Sequence, residues 1–436
     1  MQRACFALPT PRPIAARVLF ALLVLLNADA LRGAMVMGPW VEQAERDIFQ
    51  HRQRDVRIIV LDARGRVVEG AEIRVEQLTR PFLLGARVEA EDVTQQERAL
   101  ARARHAGLPI HAVLGEDGPA PPDAPDAPDA QDAPDAEDAP ATPSDPNTSD
   151  ASDTKRKAPP LVRLAGPLVS SDLARWPDAW ARLDGAALRD RLLERIDRGT
   201  AGADRVIPLG DLLRSRHAVE ERLGEGFARL AIQRVGGRFP RAKRGVFAAN
   251  ALLGSKQDEM IRRVIELREA FVPFEFVAVS YRDTTPLPPL RMAGELRRLR
   301  TLESPILVLD LQTGGENPIE AAQHVEALLR LLYAMPEVEG VFFPGLDSKA
   351  FAEPHASLLD DNGELTSVGR VVARLFGETW RSNHTLQTDA AGNAYARLFH
   401  GTHRFTVSLP SGDTFKSEVR IPAGAGNRIV VLQALQ

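Results

Sequence analysis

Side chains able to do chemistry are thinly spread in this sequence. None of its nine histidines stands at the spacing that would place two metal ligands on one helix. His400 and His403 lie in a strand-like tail, where packing is the simpler role. Ser170-Ser171 and Thr284-Thr285 have no paired histidine to activate a hydroxyl. No glycine-rich phosphate loop follows a strand. The sole cysteine, Cys5, lies near the N-terminus, so neither a disulfide nor a thiolate metal site is expected further along. The run of aspartates from Asp123 to Asp138 offers oxygen ligands for calcium, but without the glycine-turned loop such a site uses. No cofactor and no metal are expected. What remains are isolated carboxylates at the ends of apolar runs, and their meaning depends on the elements that carry them.

Those elements alternate. Apolar runs at Phe82–Val88, Leu108–Leu114, Leu161–Val169, Arg205–Leu209, Arg244–Ala249, Phe274–Val279, Ile306–Leu311 and Gly340–Phe343 are separated by amphipathic helical patterns. These patterns include Ala186–Asp197, Leu223–Val235, Gln257–Glu269, Met292–Leu302 and Pro318–Tyr333. Such alternation implies a parallel sheet, and eight strands over this length predict an α/β fold, the (β/α)8 TIM barrel, across 81–380. A doubly wound open sheet is the structural alternative. Val56–Leu61 and Ala71–Gln77, joined through Asp62-Ala63-Arg64-Gly65, predict an N-terminal β hairpin over 50–80. Short strand patterns at 385–436 predict a C-terminal β module. Two-stranded pieces are marginal alone, so the terminal strands are expected to share one small β-sandwich-like module.

From 118 to 159 the sequence becomes Asp-Ala-Pro repeats with no apolar residue larger than alanine. That segment is predicted to be a disordered insertion, because it buries too little surface to offset its ordering entropy. At the N-terminus, Arg3, Arg12 and Arg17 precede the apolar run Val18–Leu26, and Ala28-Asp29-Ala30 follows. This is the order of a secretion signal over 1–30, and the run is too short to span a membrane. The expected location is therefore secreted or periplasmic, in the cell envelope, with no membrane span after signal removal. An uncleaved anchor, or a true start at Met35 or Met37, is the alternative. A net charge of −4 on 436 residues argues against a nucleic-acid partner. The sequence does not decide the oligomeric state.

Several motifs, in order, resemble the family 10 glycoside hydrolases, the endo-1,4-beta-xylanases. Trp176-Pro177-Asp178-Ala179-Trp180 with the helix after Leu183 is similar to their Pro-x-Trp and following helix. Glu221-Arg222-Leu223-Gly224 looks like "D-R-L-G", Ser304-Pro305-Ile306 like "l-P-I", and Met335-Pro336-Glu337-Val338-Glu339-Gly340 like "h-P-x-V-x-G". The loop His355–Glu364 and the tail Thr388–Gly401 also resemble family patterns, as does Phe82-Leu83-Leu84-Gly85.

The resemblance implies a retaining glycosidase with two carboxylates about 5–5.5 Å apart, acting on a xylan-like polysaccharide. Residue by residue, however, the expected glutamates are replaced. Asp310 stands at the nucleophile position, one methylene short, and reads equally as a strand-end carboxylate paired with an arginine. Asp211 stands near the acid/base position, with Leu212 as the alternative one residue on, and reads also as a turn and helix cap. Asn250 matches a substrate-binding Asn of the fifth strand, Arg282 replaces the His that steers the nucleophile, and Trp180 is the remaining candidate aromatic contact. Pro344-Gly345-Leu346 replaces the sugar-platform Trp. Packing and turn positions agree with the family while strand C-terminal ends do not, and those ends are where barrels place their chemistry. The expectation is a xylanase-like exported protein, catalytically impaired, that binds a glycan or a protein. An active glycosidase on an Asp211/Asp310 pair, or a purely structural exported protein, stands beside it.

Overall fold

The computed structural model describes residues 38–88, 93–115, 161–170, 176–212, 218–224, 226–283, 287–351, 356–424 and 426–434. The signal at 1–30, Met35, Met37 and the acidic segment at 118–159 lie outside the described residues. So does His355.

Eight parallel strands close into a barrel: β3 (Leu83–Arg87), β4 (Ala112–Gly115), β5 (Val162–Ala165), β6 (Arg205–Val206), β7 (Lys243–Ala248), β8 (Phe276–Asp283), β9 (Ile306–Thr313) and β10 (Val338–Phe343), with β10 returning to pair with β3. Each coincides with one of the eight apolar runs. The helices Gly185–Thr200, Gly226–Arg238, Lys256–Glu269 and Pro318–Ala334 surround it at the predicted places. β9 is buried along its whole length, as expected of a parallel strand covered on both faces.

Inside the barrel, Leu83, Leu114, Leu164, Ile207, Phe247, Phe276, Leu307, Leu309 and Phe342 form one packed cluster. The interior is therefore a filled core and not a channel. Two glycines make the rings fit. A Cβ on Gly85 would collide with the Phe342 ring, and one on Gly245 with the Phe276 ring.

The terminal strands build two antiparallel-rich sheets. β1 (Gln53–Leu61) lies between β12 (Asn393–Phe399) and β15 (Arg428–Gln433) in one sheet. β2 (Glu72–Gln77) lies between β11 (Asn383–Gln387) and β13 (Gly401–Ser408) in the other, with β14 (Thr414–Ile421) at its edge. Val56, Ile58, Val60, Ile73, Val75, Phe405, Val407 and Leu432 fill the space between the sheets. The shared β module is thus present, but the predicted hairpin is not one. The turn does form, with the Asp62 amide donating to the Arg66 carbonyl at 2.9 Å. After it the chain crosses to the other sheet: β1 and β2 each take ladder partners more than 300 residues away and meet each other only through side chains across the sandwich.

A helix the sequence pattern did not announce, Pro39–Arg52, leads into β1 and buries Trp40, Ala44 and Ile48. Its last residue joins module to barrel. Arg52 donates through Nε to the Tyr333 carbonyl at 2.7 Å and through Nη2 to the Val338 carbonyl at 2.8 Å, and also reaches the Met335 carbonyl. These carbonyls run from the last turn of the helix before β10 to the first residue of β10, so the module seats on the N-terminal end of the barrel. Tyr333 stacks on Trp380 there at 4.3 Å and meets Phe82 edge-on at 4.9 Å. That end of a barrel serves stability, and it leaves the opposite end open for ligands.

Candidate functional site at the barrel mouth

Three residues at the C-terminal ends of the strands hold backbone that non-glycine residues rarely adopt: Asp211 (φ 50°), Asn250 (φ 52°) and Asp310 (φ 49°). Asp and Asn tolerate the left-handed region better than other side chains, and such outliers gather at ligand and active sites. For Asp310 the local cause is visible. Ser280 on β8 faces Leu309 on β9, but Arg282 faces Gln312, so β9 carries one extra residue beside Tyr281. A bulge of this kind re-aims a side chain out of the strand's alternation.

The aimed carboxylate is held from two sides. Arg87, the last residue of β3, places Nη2 at 3.1 Å from Oδ1 and 3.4 Å from Oδ2 of Asp310. Arg282 of β8 places Nη2 at 3.1 Å from Oδ2. The Asp310 and Arg87 side chains are 11% and 17% exposed, whereas Arg282 is 52% exposed. Arg87 reaches across β10 to do this, since β10 lies between β3 and β9.

Asp211 follows the bridge that pairs Leu209 with Val169. Its Oδ1 accepts the Ala249 amide at 2.9 Å, and the residue is 6% exposed. Leu212, the alternative one residue on, is buried in the core. Asn250, next along from Ala249, donates its amide to Ser280 Oγ at 2.9 Å, and its Oδ1 accepts the Arg282 amide at 3.2 Å.

Asp211, Asn250, Arg282 and Asp310 therefore lie along one polar path that runs from the β6 loop through β7 and β8 to β9. Trp180 is not on it. Its ring is 5% exposed, packs edge-on against Trp176 at 6.1 Å and lies under the Arg195 guanidinium at 5.8 Å. It is a core residue beneath a helix start, not a sugar contact. The other rings at the strand ends, Tyr281 and Phe343, are buried too.

Two contributors were missed in the sequence, Arg87 and Ser280. The signal for Arg87 was a lone cation at the end of an otherwise apolar strand. Among the described residues, no group of three or more His, Cys, Asp or Glu could hold a metal ion.

The structure aligns with crystal structures of xylanase 10B from Thermotoga petrophila in complex with xylobiose (TM-score 0.50, 12% identity, covering 69% of this chain and 95% of that one). It aligns equally with native xylanase 10B from Thermotoga maritima (TM-score 0.50, 11% identity, covering 68% and 97%). The barrel has the fold of the family 10 xylanases.

Sequence similarity is weaker and partial. The chain is 25% identical over 271 residues to anti-sigma-I factor RsgI6 of Acetivibrio thermocellus, a match over 61% of this chain and 35% of that protein. It is 21% identical over 165 residues to endo-1,4-beta-xylanase 3 of Arabidopsis thaliana, covering 38% of this chain and 22% of that protein. The chain thus spans about a third or less of the length of these curated relatives. No protein-family profile matches it. Among the described residues, no helix of this xylanase-like structure is long and apolar enough to cross a membrane.

Proposed function

We propose that this chain is a xylanase-like barrel protein that binds a xylan-type polysaccharide at its mouth without hydrolysing it. One observation carries the reading: both oxygens of Asp310, the carboxylate at the nucleophile position, accept from guanidinium groups. A retaining glycosidase needs one carboxylate oxygen open to attack the anomeric carbon, and a second carboxylic acid with its proton directed at the leaving oxygen. Here the first is occupied by Arg87 and Arg282, and Asp211 accepts an amide of the β7 loop. The exposed polar groups that remain, Asn250 and Arg282, suit hydrogen bonding to sugar hydroxyls.

The similarity to a protein named as an anti-sigma factor supports a binding role, since that name is a regulator's and not a hydrolase's. The xylobiose in the Thermotoga petrophila structure supports a xylan-type ligand. The Arg3–Ala30 signal pattern supports action outside the cytoplasm, in a secreted or periplasmic setting.

The test is hydrolysis of xylan and of an aryl-xyloside by the purified chain, beside affinity electrophoresis on soluble xylan. The expected result is retarded migration without release of reducing sugar, with the retardation weakened in Arg282→Ala. Turnover that is abolished by Asp310→Asn would establish the catalytic alternative.

A further inference from the structure

Away from the mouth, the outer face of the β12–β1–β15 sheet carries a cleft of about 650 Å³. Its lining includes Asp55, Arg57, Tyr395, Arg397, Asn427 and Ile429. Strand register explains the composition. Arg57 in the central strand faces Tyr395 on one neighbour and Ile429 on the other, and Asp55 faces Arg397. Tyr395 is 63% exposed and Ile429 55% exposed, whereas the alternate residues Val56 and Ile58 point into the sandwich.

The polar groups around the ring are fixed before any ligand arrives. Arg397 Nη1 lies 3.0 Å from both oxygens of Asp55, and its Nη2 donates to the Phe49 carbonyl at 2.6 Å. Arg57 donates through Nε to Asn393 Oδ1 at 2.9 Å. Asn393 is itself held by Asp389, whose Oδ1 accepts the Asn393 amide at 2.8 Å.

We infer that this cleft is a second saccharide site, taking a neutral pyranose-based oligosaccharide with one ring laid on Tyr395. Three features select that ligand. The volume lies within the range of small-ligand pockets, about 300–1,000 Å³. An exposed aromatic ring flanked by both donors and acceptors (Arg57, Asp55, Asn427) matches a ligand with an apolar C–H face and hydroxyls that donate and accept. Asp55 pairs with Arg397, which leaves one net positive charge on the lining, at Arg57, a guanidinium whose other N–H groups can donate to hydroxyl oxygens. The site lies on the module seated at the N-terminal end of the barrel and is independent of the reading of the mouth.

Calorimetric titration of the full chain with xylohexaose and with cellohexaose tests this. At least one of the two is expected to show a binding class that Tyr395→Ala weakens about tenfold, the loss of one aromatic contact and its buried area. Tyr395→Phe keeps that class, because the ring and not the hydroxyl does the stacking. Arg57→Ala, on the neighbouring strand, weakens it independently. Arg282→Ala at the mouth leaves it intact, which separates failure of this site from failure of the mouth. Absence of binding by both sugars, or affinities unchanged by Tyr395→Ala and Arg57→Ala, would overturn the inference. So would a Tyr395→Ala whose only effect in sedimentation is to turn an oligomer into a monomer, which would mark the face as a protein interface.

Discussion

Replacing Asp310 by Asn separates a structural carboxylate from a catalytic one. The change keeps the side chain's shape and removes its charge, leaving Arg87 and Arg282 facing an amide. The two arms weigh differently. The Arg282 side chain is 52% exposed, so its ion pair belongs with surface pairs worth about 0–1 kcal/mol. The Arg87 arm is 17% exposed against 11% for Asp310. Removing one partner from a buried pair costs roughly 3–5 kcal/mol, and partial exposure brings this arm to the lower end. An amide oxygen recovers one hydrogen bond, so the net cost is about 2–4 kcal/mol. Chemical unfolding at pH 7 measures it. In an Arg87→Met background the cost of Asp310→Asn should fall by more than half, the signature of direct coupling. Active-site residues commonly behave in the opposite way, since removing strained catalytic charges tends to stabilise a protein. An Asp310→Asn variant as stable as the parent, or more stable, would refute the view that Asp310 serves the fold.

Two further outcomes follow from buried side chains. Burial, opposed only partly by the Gly401 carbonyl, holds His403 down at about 4, and neither of its ring nitrogens makes a hydrogen bond of normal geometry. The folded value lies below the unfolded 6.5, so the unfolded chain binds the extra proton between these limits. Stability is therefore full above pH 6.5 and is lost as pH falls toward 4. For this one group the loss is about 2 kcal/mol by pH 5, and His403→Leu should flatten the pH dependence of the unfolding midpoint by that amount. Trp180→Ala should cost about 3–5 kcal/mol as a core truncation, while saccharide affinity below the unfolding transition stays unchanged. A selective loss of affinity would return Trp180 to the binding surface.

The barrel was legible because parallel strands covered on both faces read as uninterrupted apolar runs, as β9 does over Ile306–Leu311. What the runs could not give was partnership. Val56–Leu61 and Ala71–Gln77 alternate as strands should, yet nothing in their alternation records that β1 pairs with β12 and β15. Pro39–Arg52 escaped notice because only Trp40, Ala44 and Ile48 of its fourteen residues face inward, one apolar residue per turn. At the mouth, Asp211, Asn250, Arg282 and Asp310 came from matching strand ends to the family 10 pattern. The Arg87 contact was not, since it crosses an intervening strand. Trp180 misled because an aromatic residue beside a strand end has the same local signature whether it meets a ligand or the core.

The interlocking of the terminal strands also sets a timetable. Ile58 of β1 pairs with Ala394 of β12, so at synthesis rates of roughly 5–20 residues per second the first strand waits about 20–70 s for its partner. All eight barrel strands emerge during that interval. The barrel can close before the module exists, whereas β1 and β2 remain unpaired edges, the kind that recruit other chains. Birth order and structural dependence thus run in opposite directions. A polypeptide released before β11 would carry a finished barrel and two strands still waiting for partners.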